Sequence, residues 1–142
     1  MVDFPKGYEF FDHTADVGIL AQGKTLAELF VNLAQGLTEL IAEDSHLRPQ
    51  QVRPIVVSAD TVELLLLAWL QALLFWFSTD RFLPAQYALD EVTETALRGK
   101  VCGETFDPSR HIQGREVKAI TRHLLEVRQR DGEWHGQAIV DI

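Results

Sequence analysis

Residues 16–41 read DVGILAQGKTLAELFVNLAQGLTELI, and the spacing of apolar side chains changes once within this stretch. Residues 16–22 are aliphatic enough to form a strand. From Thr25 onward the apolar residues recur three and four positions apart, which places them on one helical face. This set consists of Leu26, Leu29, Phe30, Leu33, Leu37, Leu40 and Ile41. Thr25 and Glu28 form a capping-box pattern, so we predict a first helix that starts there and ends near Glu43.

A second helix is predicted from the nearly unbroken apolar run LLLLAWLQALLFWF at residues 64–77. Asp60 and Glu63 are expected to cap its start, and it should end near Ser78. Because the run is apolar nearly all round, we expect it to be the central buried element of the fold. A membrane span needs about 20 apolar residues, so this length favours a core helix.

The remaining segments predict β structure. Strands are expected at residues 8–12, 16–22, 52–58, 86–92, 96–104, 116–129 with possible breaks, and 134–142. Pro54 cannot donate to a ladder, so its strand should lie at a sheet edge or near its own beginning. Asp131 and Gly132 are typical of the turn in a last hairpin. The sequence therefore predicts an α+β fold, with two helices packed on a mostly antiparallel sheet in a single domain, residues 1–142.

Composition restricts the class of function. The 142-residue chain has 13 Lys and Arg against 21 Asp and Glu, a formal charge of −8, which disfavours direct binding to a nucleic-acid backbone. The single cysteine, Cys102, excludes an internal disulfide and a multi-cysteine zinc site. The first ten residues, MVDFPKGYEF, do not resemble a secretory signal. We therefore expect a cytoplasmic protein without a membrane segment.

The segment GILAQGKT, residues 18–25, fits the phosphate-loop pattern G-x-x-x-x-G-K-[ST]. A phosphate loop needs an open curl of backbone N–H groups between its glycines. Here Ile19 and Leu20 are better suited to continuing a strand, and residues 23–25 predict a turn with a Thr cap. We interpret the match as accidental.

The segment DHTAD, residues 12–16, offers an alternative site at the corner between the first two strands. An Asx-turn with a solvated acid is the simplest account of it. However, the sequence closes with Val-Asp-Ile, so Asp141 and a carboxylate on Ile142 supply more anionic oxygen. If the last strand reaches this corner, Asp12, Asp16, Asp141 and Ile142 converge. An all-oxygen set suits Ca²⁺, with Mg²⁺ or Mn²⁺ as alternatives.

Other candidate residues carry weaker signals. His13 is expected to orient an acid rather than bind a hard cation. The other histidines lack the i, i+4 pairing or partner cysteines of a zinc site, and Cys102 is expected to be a small buried thiol.

Several blocks together resemble the archease family. They are YEFFDHTADVGILAQGKTLAELF, LLLLAWLQALLFWFSTDRF, EVKAITRH and the ending VDI, in the same order and with similar spacing. The resemblance implies an accessory protein, not an enzyme, that assists the tRNA-splicing RNA ligase. This ligase joins 2′,3′-cyclic-phosphate or 3′-phosphate RNA ends to 5′-hydroxyl ends. Archeases promote guanylylation of the ligase and its multiple turnover.

The resemblance also implies a divalent-cation site, often assigned to calcium, at Asp16, Asp141 and Ile142, with Asp12 as a more variable fourth position. Two departures stand out. Relatives often carry an acid near Ala72 and an aromatic residue at Arg122. Lys118, within the matching EVKAIT block, is assigned no role.

Two other functions remain open at this point. A small metal-dependent phosphoester hydrolase would use the same cation to activate water. A nucleotide-binding module would depend on Lys24 of the GILAQGKT segment.

Overall fold

The computed structural model describes residues 6–12, 15–43 and 46–142. The two helices are α1 (Leu26–Ile41) and α2 (Val62–Asp80). The strands are β1 (Tyr8–Asp12), β2 (Asp16–Gly23), β3 (Ala42–Glu43), β4 (Gln51–Ser58), β5 (Phe82–Val92), β6 (Ala96–Thr105), β7 (Ile112–Gln113), β8 (Ala119–Arg130) and β9 (Glu133–Asp141).

All described strand pairs are antiparallel, and they form three sheets. The four-stranded sheet has the order β1-β2-β9-β8, the three-stranded sheet has the order β4-β6-β5, and β3 pairs with β7. Strand β4, which contains Pro54, lies at a sheet edge as predicted. The α+β fold of two helices on antiparallel sheets is confirmed, although the β structure is divided among three sheets.

Helix α1 follows the predicted apolar face closely. All seven residues of that face are buried. The side chain of Thr25 accepts a hydrogen bond from the Glu28 backbone N–H, at 3.0 Å, as the capping-box pattern predicts. The helix ends at Ile41, two residues before the predicted end, because the chain enters the short strand β3.

Helix α2 is long and apolar enough to cross a membrane by length and composition alone. Within the fold, Leu65, Leu66 and Trp69 are fully buried, as in the core helix of a globular protein. The Trp69 indole N–H donates to the Phe30 carbonyl at 2.9 Å, which ties the two helices together. Burial is one-sided, however, because Gln71 and Phe75 are exposed.

The predicted cap of α2 is wrong. The N-cap residue is Thr61, whose hydroxyl accepts from the Leu64 backbone N–H at 3.2 Å. Asp60 precedes the cap, and Glu63 lies in the first turn. Threonine at the N-cap and an acid in the first turn both match the preferences of a helix start. The start was therefore predicted one residue early, with Asp60 in the place of Thr61.

Two strands begin more than one residue away from their predicted starts. Strand β5 begins at Phe82, four residues before the predicted start, because residues 82–84 continue the pairing with β6 across a register shift. Strand β8 begins at Ala119, and its pairing with β9 is interrupted between Thr121 and Glu126. The hairpin turn at Asp131 and Gly132 is confirmed, with φ of 52° and 78°.

Candidate metal centre

Asp16 and Asp141 occupy directly opposite positions in the four-stranded sheet. Asp16 opens β2, Asp141 closes β9, and the two residues are register partners in the antiparallel pair. Opposite residues project from the same face, with Cβ atoms about 4.5–5.5 Å apart. The prediction that the last strand brings Asp141 to the corner beside Asp16 therefore agrees with the sheet register.

The backbone around Asp141 is held on both sides. Its carbonyl accepts from the Lys118 backbone N–H at 2.8 Å, and its other neighbour in register is Ala119 on β8. The next residue, Ile142, donates its backbone N–H to the Ala15 carbonyl at 3.2 Å. These contacts keep the main chain of Ile142 beside the start of β2, next to the two carboxylates.

The chemistry of this corner suits a hard cation. Both aspartates are half-buried, and the Oδ1 atom of Asp16 is fully buried. Like charges directly opposite each other in a sheet repel, and a divalent cation between them removes that repulsion. Asp16, Asp141 and the main-chain oxygen of Ile142 supply oxygen only, which favours Ca²⁺, Mg²⁺ or Mn²⁺ over zinc.

Two predicted members of the corner are described only in part or not at all. Asp12 pairs with Val17, the residue after Asp16. The side chain of Asp12 is not among the described parts of the chain. His13 also lies outside the described residues. Among residues 6–12, 15–43 and 46–142, no three His, Cys, Asp or Glu side chains are grouped so that they could hold a metal ion. The assignment of Asp12, Asp16, Asp141 and Ile142 as ligands therefore stays a prediction.

Residues 18–23 of the GILAQGKT segment have an extended backbone rather than a phosphate-binding curl. Both of its glycines lie within β2, and Thr25 caps α1. Packing explains both glycines. A Cβ atom on Gly18 would lie 2.0 Å from the Phe11 ring, and one on Gly23 would lie 2.5 Å from the Leu29 backbone nitrogen. The interpretation of the match as accidental agrees with this strand geometry.

A buried polar cluster around Glu104 was not predicted. Arg110 Nη2 lies 2.5 Å from Glu104 Oε1, and the Arg48 backbone N–H donates to Oε2 at 2.5 Å. Burial raises the pKa of Glu104, but these contacts and those with His111 outweigh it, so the pKa lies below its usual value.

The tautomer of His111 follows from its partners. Its Nδ1 accepts from the Asp107 backbone N–H at 2.8 Å, so a proton on Nε2 faces Glu104 Oε2 at 3.3 Å. The turn signal around Asp107 was visible in the sequence, but nothing in the spacing indicated that Glu104 is buried. We interpret the cluster as structural because it ties three chain segments together.

The remaining candidates differ in exposure. Cys102 is half-buried rather than fully buried, as is Ala72 on α2. Lys24, Lys118 and Arg122 are all exposed.

Comparisons with known proteins show similarity to archeases over almost the whole chain. The model of the Archease protein family (MTH1598/TM1083) matches residues 8–142. Protein archease from Sulfurisphaera tokodaii is 34% identical, over 95% of this chain and 98% of its own length. Protein archease from Methanosarcina mazei is 31% identical, over 96% of this chain and 97% of its own length.

Two solved structures are similar to this one. The solution structure of protein 1598 from Methanobacterium thermoautotrophicum has 35% identity and a TM-score of 0.79, and the match covers 96% of this chain and 99% of that chain. The crystal structure of a Thermotoga maritima archease, described as a possible chaperone, has the same fold with 15% identity and a TM-score of 0.61, over 93% of this chain and 94% of that chain. From the family match and the identity to these relatives, the chain belongs to the archease family.

Proposed function

We propose that this protein is a non-catalytic activator of the RNA ligase that joins 2′,3′-cyclic-phosphate or 3′-phosphate RNA ends to 5′-hydroxyl ends. It promotes guanylylation and multiple turnover of that ligase in tRNA splicing and RNA repair. Membership of the archease family supports this role, and the Thermotoga maritima relative is described as a possible chaperone, which is also an accessory function.

The observation that carries the proposal is the position of Asp16 opposite Asp141, with the Ile142 main chain beside Ala15. Asp16, Asp141 and Ile142 would hold a divalent cation, most simply Ca²⁺, with Asp12 as a fourth ligand. A bound divalent ion neutralises phosphate charge, which is a large term in nucleotidyl transfer. A cation held by the two aspartates would lie at the end of the β2–β9 pair, where Asp16 and Asp141 are opposite each other.

The charge of the chain supports a protein partner rather than RNA. A formal charge of −8 repels a nucleic-acid backbone, so the ligase and not this protein contacts the RNA. The proposed place of action is the cytoplasm, without a membrane.

The test is single-turnover guanylylation of the cognate RNA ligase with GTP and a divalent cation. Four additions are compared: none, the wild-type protein, Asp16→Asn and Lys24→Ala. We expect the wild type and Lys24→Ala to stimulate equally, because Lys24 lies in the bend between the extended strand β2 and α1 rather than in a phosphate-binding curl. Asp16→Asn removes one charge from the corner with little change of shape, so stimulation should be lost.

The same experiment separates the alternatives. Loss of stimulation with Lys24→Ala alone would instead support a nucleotide-binding module. No stimulation by folded wild-type protein would overturn the activator role. Hydrolysis of a phosphoester by the protein without the ligase, sensitive to Asp16→Asn, would identify a metal-dependent hydrolase.

A further inference from the structure

Strand β8 carries a protrusion beside the acidic corner. Thr121 pairs with Ile139 and Glu126 pairs with Gln137, so the four residues Arg122–Leu125 face only Ala138 on β9. The three extra residues on β8 cannot all stay in the ladder. Because β8 is the edge strand of its sheet, this β8 protrusion lies at the border of the four-stranded sheet.

Leu124 within the β8 protrusion is both strained and exposed. Its φ is +55°, in the left-handed region that disfavours side chains with a Cβ, at a cost of about 1–2 kcal/mol. The other non-glycine residues with positive φ in the described part of the chain are Arg81 at the end of α2 and Asp131 in a hairpin turn. Both of those sites commonly adopt this conformation, whereas Leu124 is 49% exposed in the middle of a strand.

The backbone of the β8 protrusion is fixed at several points. The Gln137 side-chain amide donates to the Leu124 carbonyl at 2.7 Å, and the Thr121 hydroxyl donates to the Ile139 carbonyl at 3.1 Å. Leu125 packs partly against the hydrophobic core, and Val127 is buried in it. Leu124 is therefore held in this conformation by its surroundings, and strained residues of this kind cluster at functional positions.

The surroundings of Leu124 define the chemistry of a partner. Arg122 and His123 are exposed beside it, and Lys118 lies at the surface next to the residue that pairs with Asp141. An exposed arginine beside an exposed apolar side chain contrasts with the net charge of −8. A complementary surface has an apolar pocket with an acidic rim, because opposite potentials across an interface favour specific docking.

We infer that the β8 protrusion is a docking element for the RNA ligase, with Leu124 as its apolar anchor and Arg122 on its charged rim. This inference rests on the proposed function, since the partner is the same ligase. Two β8 residues separate Ala119, the register partner of Asp141, from Arg122, so docking here brings the acidic corner to the partner.

The test measures the Kd of the labelled ligase for the wild type, Leu124→Ala, Leu124→Gly and Val56→Ala. Val56 is a matched control because it is 74% exposed on β4, in a different sheet. Both Leu124 variants should weaken binding about tenfold, as expected for loss of an apolar anchor. Val56→Ala should bind as the wild type does. Arg122→Glu should also weaken binding, and the salt dependence of binding should change.

Thermal stability distinguishes docking from a structural role. Glycine adopts positive φ without strain, so Leu124→Gly should melt at a temperature equal to or above that of Leu124→Ala. A variant that is at least as stable as the wild type but binds the ligase more weakly supports docking. Unchanged Kd in both Leu124 variants would overturn the inference.

Guanylylation at saturating protein separates this inference from the proposed function. The Leu124 variants keep the acidic corner, so a high concentration should restore their stimulation to the wild-type level. Asp16→Asn should fail at every concentration. If the wild type neither binds nor stimulates the ligase, both the activator role and the docking element are overturned. If the wild type stimulates the ligase and the Leu124 variants match it at all concentrations, only the docking element is overturned.

Discussion

Asp16 and Asp141 are separated by almost the whole chain, yet they face each other as register partners at one end of the β2–β9 pair. Two carboxylates in this relationship repel each other unless a cation lies near them. The backbone contacts of Asp141 with Lys118, and of Ile142 with Ala15, prevent the end of β9 from simply moving away. The fold therefore places two negative charges together at a fixed position.

Calcium should stabilise the folded protein. A ligand that binds only the folded state at 100 times its Kd adds about 2.7 kcal/mol, so the melting temperature should rise with Ca²⁺ concentration. Asp16→Asn should abolish the rise. Differential scanning fluorimetry with a Ca²⁺ titration after EDTA treatment measures it.

Asp131→Asn is the matched control for charge. It removes one carboxylate from the hairpin turn before β9, at the end of that strand opposite Asp141 and about 30 Å away at the rise of an extended strand. It should keep the full response to Ca²⁺. Equal Ca²⁺ responses in the wild type, Asp16→Asn and Asp131→Asn would contradict the cation site.

Without metal, removing either carboxylate of the acidic corner should make the folded protein more stable. Replacing either Asp16 or Asp141 with Asn removes the cross-strand repulsion, so the free energy of unfolding in EDTA should rise by about 0.2–1 kcal/mol. Urea unfolding at neutral pH in EDTA measures this change. A decrease in both variants would show that the pair is stabilised by other contacts of the protein itself.

The N-cap of α2 gives a direct test of the corrected helix start. Thr61→Ala removes the hydroxyl that accepts from the Leu64 N–H, so the free energy of unfolding should fall by about 1 kcal/mol. Asp60→Asn removes only a charge near the helix start and should cost a few tenths of a kcal/mol. Larger loss from Asp60→Asn than from Thr61→Ala in chemical unfolding would restore Asp60 as the cap.

The sequence predicted those features that depend on local periodicity and on turn chemistry. The apolar face of α1, its Thr25 cap and the Asp131–Gly132 turn depend on neighbours within a few residues, and each is confirmed. The acidic corner needed one long-range assumption, that the last strand pairs in the sheet so that its end reaches the corner. Its register agrees with that assumption, whereas the identity of the ligands stays a prediction.

Other features depend on contacts between distant segments and had no local signal. Glu104 lies in a strand, and its buried carboxylate accepts from the backbone of Arg48, which is distant in the sequence. The β8 protrusion is defined by register with β9, which a single strand sequence does not reveal. The division into three sheets likewise follows from pairing choices among similar strands.

Glu104 should make stability depend on pH. The pKa of Glu104 is lowered in the folded protein, so its contribution to stability is present above its unfolded pKa of about 4.3 and is lost as pH falls through the folded value. Glu104→Gln should therefore reduce the free energy of unfolding by about 2 kcal/mol at pH 7, since it weakens the charge-assisted hydrogen bonds of a buried carboxylate to the half-buried Arg110 and to the Arg48 backbone. Urea unfolding between pH 7 and pH 3 should show a weaker acid dependence in this variant.

Glu126→Gln is the control for that experiment. Glu126 pairs with Arg128 at 3.0 Å, but both side chains are exposed, so the loss at pH 7 should stay below about 1 kcal/mol. If Glu104→Gln and Glu126→Gln had equal effects at pH 7, the buried cluster would not contribute as its contacts indicate.

The two glycines of GILAQGKT should prove to be packing residues. Gly18→Ala places a Cβ against the end of the Phe11 ring, a side chain that can shift, so the free energy of unfolding should fall by about 1–3 kcal/mol. Gly23→Ala meets the Leu29 backbone nitrogen, which cannot shift without moving α1, so its loss should be larger. Urea unfolding of both variants, with GTP binding measured by calorimetry, tests the packing role against the phosphate-loop alternative.

A double-mutant cycle makes the Gly18 prediction specific. In a Phe11→Ala background the ring is absent, so the further change Gly18→Ala should cost close to nothing, and the coupling energy should equal most of the single-variant loss. Additive effects of the two substitutions would show that Gly18 is required for some reason other than the ring. Detectable GTP binding by the wild type that disappears with Lys24→Ala would show that the segment can rearrange into a phosphate site. Such a rearrangement is strongly disfavoured, because residues 18–23 lie inside β2, which pairs with strands on both sides.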